Sequence, residues 1–156
     1  MASTASRRPF ALAHDGERPS AAARTAERVL PLAGRILYSL VFLASTPGHF
    51  SAKDVASAAH AGVPIPHVLV PIAGILALVG GLSVLFGFKT KIGAWLLIAF
   101  LVPVTLWMHR FWGVADPHLA QMQMINFMKN TALIGAALYM AFFGAGPLSI
   151  DHRSSR

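Results

Sequence analysis

The chain has 156 residues, the length of one domain. Residues of the Ala, Val, Ile, Leu, Met, Phe, Trp, Tyr and Cys class make up 55% and charged residues only 12%, about half of the roughly 25% charge typical of soluble domains, which argues against an ordinary soluble enzyme and against a disordered chain. Lys and Arg number 13 against 6 Asp and Glu, for a charge of +7, and there is no cysteine, which removes disulfides, thiolate metal sites and CxxC redox chemistry.

Residues 1–28 read as a disordered basic tail, with Arg7, Arg8, Arg18, Arg24 and Arg28 among Ala, Ser and Pro and no apolar helical period. Ser6-Arg7-Arg8-Pro9-Phe10 has the look of a twin-arginine export signal. About twenty polar or small residues separate it from the first apolar stretch, which argues against export. Four apolar segments follow, at about 30–46, 68–88, 92–108 and 122–143, each near the roughly 20 residues that cross a bilayer as a helix. Continuous apolar runs without alternation select helices over a barrel. The expected fold is an all-α, four-helix membrane bundle over 29–146, with a second tail over 147–156. Arg35 lies near the start of the first helix, where its side chain is expected to snorkel to the interface.

Ten basic residues fall on one side of this arrangement: Arg7, Arg8, Arg18, Arg24, Arg28, Arg35, Lys89, Lys91, Arg153 and Arg156. The opposite loops carry only Lys53 and Arg110, and Lys129 lies within the fourth segment. The positive-inside rule then places both termini in the cytoplasm. The charge excess orients a membrane protein and does not call for nucleic acid. In the second segment Ala73, Ala77 and Gly81, with Gly74 and Gly80, form a small-residue surface suited to close helix approach.

Polar residues inside an apolar helix are costly and therefore informative. Asn126, Lys129 and Asn130 share one face of the fourth helix, and Gln123 extends it outward. His109 and Trp112 close the third helix. If those two helices are antiparallel neighbours, His109, Trp112, Asn126, Lys129 and Asn130 border a polar notch, with Trp107 and Phe127 beside it. A quinone fits such a notch: its tail stays in lipid, its carbonyls accept hydrogen bonds from Lys129 and Asn130, and the His109 imidazole exchanges protons near neutral pH. The competing reading is that Lys129 snorkels outward and that His109 and Trp112 belong to the interfacial belt. His49, His60, His67, His109 and His118 fall on the same side but show no metal-ligand spacing, so no metal site is expected. No intrinsic redox cofactor and no catalytic constellation is visible.

Several short motifs together resemble the DoxX family. They are Gly34-Arg35-Ile36-Leu37, Gly48-His49-Phe50, Gly62-Val63-Pro64-Ile65-Pro66 and Gly80-Gly81, then Gly87-Phe88-Lys89-Thr90-Lys91, Met108-His109-Arg110-Phe111-Trp112, Phe127-Met128-Lys129-Asn130 and Gly144-Ala145-Gly146-Pro147-Leu148-Ser149. The resemblance spans about residues 30–151. It implies a four-helix inner-membrane protein, linked in some relatives to quinone-dependent oxidoreductases. On that basis the chain is expected to be an accessory or quinone-interacting subunit of a membrane oxidoreductase system. Its partners would be the bilayer, an oxidoreductase subunit and a second copy of the chain. The alternative is a non-enzymatic scaffold or a transporter-like protein for a small solute. Two departures stand out: Ala77 occupies a position where many members carry Glu, and Arg110 one where a small polar residue is expected.

Overall fold

The computed structural model describes residues 20–154, which form helices and no strand. Helix α1 spans Ala21–Ser45 and runs into a 3-10 turn at Thr46–Phe50; α2 spans Ala52–His60, α3 Pro66–Phe86, α4 Thr90–Met108, α5 Pro117–Phe143 and α6 Ile150–Ser154. Three spans are long and apolar enough to cross a membrane: Ala21–Phe50, Pro66–Phe86 and Thr90–Met108. Helix α5 has 27 residues and is about 40 Å long, but Asn126, Lys129 and Asn130 lower its apolarity.

The helix starts follow from local chemistry. Ser20 caps α1 by accepting from the Ala23 amide at 3.2 Å, and Ala21-Ala22-Ala23 behind it has the highest helix propensity. Within the stretch expected as a disordered tail over 1–28, the residues from Ala21 onward are helical instead, because propensity and a cap make a helix where no apolar stripe exists. The twin-arginine-like motif lies outside the described residues. Asp116 caps α5 by accepting from the His118 amide at 2.8 Å, and Pro117 occupies its first position. That cap starts α5 five residues before the expected 122, so Lys129 lies twelve residues into the helix, roughly 18 Å along it.

Helix α3 packs on α1 and α4, α4 packs on α5, and the 3-10 turn and α2 sit on α3. The closest crossing pairs Gly80 with Gly93, since a Cβ at Gly80 would stand 3.0 Å from the Gly93 carbonyl oxygen. The core joins Tyr38, Phe42, Ala77, Val84, Leu97, Phe100, Leu101 and Ala137. Ala77 is fully buried there. Tyr38 links α1 to α5 by donating its hydroxyl to the Leu133 carbonyl at 3.1 Å.

At the end of the bundle holding the α3–α4 link, the chain is clamped. Arg35 is 3% exposed, and its Nη2 donates to the Leu148 carbonyl. The guanidinium lies against Gly87, where any Cβ would collide with it. The snorkelling expected of Arg35 does not occur, because the segment after α5 folds back and supplies a carbonyl acceptor. Helix α4 has no side-chain cap from its own flank. Asp151 provides one across the chain, accepting from the Lys89 amide at 2.6 Å and the Thr90 amide at 2.9 Å. The Asp151 amide in turn donates to the Gly87 carbonyl at 2.8 Å. Burial would push the Asp151 carboxyl up, but the Thr90 and Lys89 backbone amides and the Arg35 charge outweigh it and hold the group below the usual carboxylate value. The tail expected over 147–156 is thus, over its described part, a docked segment.

Candidate functional site

At the opposite end, the helices enclose a cavity of about 540 Å³, within the range of small-molecule sites. Its walls come from the end of α1, the 3-10 turn, α2, the first half of α3, the second half of α4 and one face of α5. The floor is aromatic: Phe42 and Phe100 meet edge-on with centroids 6.1 Å apart, and the His49 ring stands 5.4 Å from Phe100.

Polar side chains enter this apolar chamber from two walls. From α5 come Lys129 and Asn130. Asn130 is 5% exposed, and its carboxamide has no hydrogen-bond partner among the described residues. Its amide atoms are not among the fully buried ones, so the carboxamide keeps its access by facing the cavity, where a ligand or water can satisfy it. The Lys129 ammonium donates to Asn126 Oδ1 at 3.1 Å and meets no carboxylate among the described residues. Another part of the lining, seated on α3, carries His49 from the 3-10 turn and Asp54 from α2. His49 Nδ1 stands 3.0 Å from the Ser45 carbonyl. A carbonyl only accepts, so that nitrogen carries the proton and Nε2 of the neutral ring is an acceptor. The Asp54 amide donates to the capping hydroxyl of Ser51 at 3.1 Å, while its carboxylate has no partner among the described residues.

Close packing holds the His49–Asp54 wall in place. A Cβ at Gly74 would lie 2.7 Å from His49 Cβ, so glycine there lets the 3-10 turn seat on α3. Asp54, Ser57 and Ala58 line the cavity together because positions i, i+3 and i+4 share a helix face.

The five residues singled out from the sequence divide. His109, Lys129 and Asn130 line the cavity; Trp112 and Asn126 do not. Asn126 instead accepts from Lys129. Trp112 is 52% exposed and forms an edge-on cluster with Phe111 and Phe127, at 5.2 and 5.9 Å. His109 Nδ1 is 2.9 Å from Gln123 Oε1. Trp107 also lines the chamber. Thr105, one turn before His109, is buried and donates to the Leu101 carbonyl at 2.6 Å, so it is spent within its own helix.

Sequence reasoning did not place His49 and Asp54 in the site, nor find the short helix α2 that carries Asp54. The signal was present: Ser51 three residues before Asp54 is a capping pattern, and it announces a short helix in the first loop. Arg110, unexplained by sequence, donates from Nη2 to the Ala61 carbonyl at 3.1 Å. Ala61 is the C-terminal cap of α2, where a cation is favoured, so Arg110 straps that helix to the α4–α5 end. Among the described residues no three His, Cys, Asp or Glu stand close enough to hold a metal.

Comparison with known proteins agrees with the architecture. The DoxX family profile matches residues 30–110. The inner membrane protein YphA of Escherichia coli (strain K12) is 30% identical over 130 residues, which cover 82% of this chain and 92% of the relative. No solved structure matches the chain. The family match and the three apolar helices make this a multi-pass membrane protein, and the chain belongs to the DoxX family.

Proposed function

We propose that the chain is an inner-membrane accessory subunit that holds a quinone by its head group and presents it to a partner oxidoreductase. In this reading α5 is a fourth membrane span and both ends of the chain face the cytoplasm. The charge distribution supports the orientation: the clamp end carries Lys89, Lys91 and Arg153, whereas the loops at the cavity end carry only Lys53 and Arg110. The relative's inner-membrane name supports the location.

The observation that carries the function is the Asn130 carboxamide, facing the chamber and without a partner among the described residues, beside Lys129 in a largely apolar lining. A quinone carbonyl would accept from both, and its isoprenoid tail would leave between apolar helix faces. No nucleophile–base pair is assembled among the described cavity residues, so this chain would supply binding and orientation while a partner performs the electron transfer.

The test is native purification in mild detergent, with extraction and identification of bound lipids and co-purifying proteins. A quinone near one equivalent, lost in Lys129→Met, is the expected result. Protein purified without quinone, and conducting a small solute when reconstituted alone in liposomes, would overturn the reading and favour passage through the chamber. Reporter fusions at either terminus check the orientation; activity of a periplasm-only reporter at the C-terminus would reverse it.

A further inference from the structure

The acceptors in the cavity have a consequence for which redox form of the ligand it holds. On the wall built from the 3-10 turn and α2, Asp54 presents a carboxylate without a partner, and His49 has Nε2 left as an acceptor because Nδ1 faces the Ser45 carbonyl. His109 is in the same state: its Nδ1 faces the Gln123 amide oxygen, which leaves Nε2 as the acceptor of the neutral ring. Donors come from the α5 wall, through Lys129 and Asn130. Trp107 adds an indole N–H to the lining; what stands out is that Asp54 and His49 offer acceptors together on the part of the lining formed by the 3-10 turn and α2.

An oxidised quinone offers only carbonyl acceptors. It satisfies Lys129 and Asn130 but leaves the Asp54–His49 wall facing another acceptor or nothing. A quinol carries a hydroxyl at each end of the ring, and each hydroxyl both donates and accepts. One hydroxyl can accept from Lys129 or Asn130 while donating to His109. The other can donate to Asp54 or His49. A hydroxyl-to-carboxylate hydrogen bond is among the stronger ones.

We infer that the cavity selects the reduced, dihydroxy form of its ligand, with Asp54 and His49 as the residues that set the preference. This rests on the quinone reading above and sharpens it: the subunit would hold a quinol ready for oxidation by a partner, or retain the quinol a partner has made. In this reading α2 serves to carry Asp54 into the chamber, and Arg110 fixes the end of α2.

The experiment uses the full chain in nanodiscs, with decylubiquinone and decylubiquinol as probes and Trp107 fluorescence, from the cavity lining, as the readout. The unaltered protein should bind the quinol about tenfold more tightly than the quinone, the value of one charge-assisted hydrogen bond. Asp54→Asn should remove most of that ratio by weakening quinol and leaving quinone unchanged, and His49→Phe should reduce it. Equal affinity of the unaltered protein for the two forms overturns the preference while leaving the quinone reading intact, and this result does not depend on any variant folding. Equal loss of both ligands in Asp54→Asn, with an unchanged melting temperature, also overturns the assignment to Asp54. Binding of neither form overturns the quinone reading and the preference with it.

Discussion

The two ends of this bundle use polar residues in opposite ways. At the clamp end, Arg35 Nη2 meets a carbonyl, Asp151 meets two backbone amides and the two charges favour each other, while Arg35 Nε and Nη1 are sealed in the packing without a partner. At the cavity end, Asp54 and Asn130 have no partners among the described residues, and Lys129 has only Asn126. Both ends carry charge into an apolar bundle, which is costly in either place. The difference teaches that a polar group sealed into packing and tied to its own chain is a fastening, whereas one that faces an open chamber can take a ligand.

Substitutions should separate the two ends. The largest effect is expected from Arg35→Met, which removes the donor to Leu148 and loosens the segment after α5. A loss of about 1.5–3 kcal/mol follows from removing a charged hydrogen bond to the Leu148 carbonyl, read as a lower melting temperature in detergent. Quinone affinity of the folded fraction should stay the same; a selective loss of affinity would erase the distinction between the ends. Gly74→Val should cost roughly 1–3 kcal/mol, because the new side chain collides with His49 and Phe50 and overpacks the contact. It should also shrink the cavity, so here stability and ligand binding fall together.

Asp151→Asn tests the clamp through pH. The folded-state carboxyl of Asp151 lies below its ordinary 3.8. Its contribution is therefore fully present above pH ~4 and is lost as pH falls through the lower folded value. The variant should be less stable than the parent at neutral pH, by about 1–2 kcal/mol, with a flatter acid limb in its melting-temperature profile. An unchanged acid limb would remove Asp151 from the clamp. Lys129→Met should do the reverse of the clamp variants. The side chain is exposed, so melting should shift by less than about 0.5 kcal/mol, while quinone affinity drops about tenfold. Arg110→Ala is the mildest, about 0.5–1 kcal/mol, visible as faster amide exchange around Ala61 and Gly62 and not in global melting.

Much of this was readable before the structure. Continuous apolar runs announced the helices, and the periodicity of Asn126, Lys129 and Asn130 announced a polar face on α5. Helix starts were read late where caps were overlooked: Asp116 and Pro117 extend α5 outward, and Ser20 begins α1 inside what composition alone makes a tail. Trp112 was grouped with the notch because it follows His109 by three residues. The chain leaves helical geometry at His109, so that spacing no longer implies a shared face, and Trp112 turns to Phe127.

By itself the sequence determined a charge-poor membrane protein with a lopsided basic distribution and a polar stripe on its last long helix. Those properties belong to single segments, and hydropathy and period report them directly. Only the tertiary structure decided which segment faces which. It brought Arg35 to Leu148 across 113 positions, and it set His49 and Asp54 into one cavity lining with Lys129 and Asn130. Periodicity states which side of a helix is polar, and says nothing of the neighbour that side will meet. That partner is chosen by packing, at close contacts such as Gly80 on Gly93 and the 3-10 turn on Gly74.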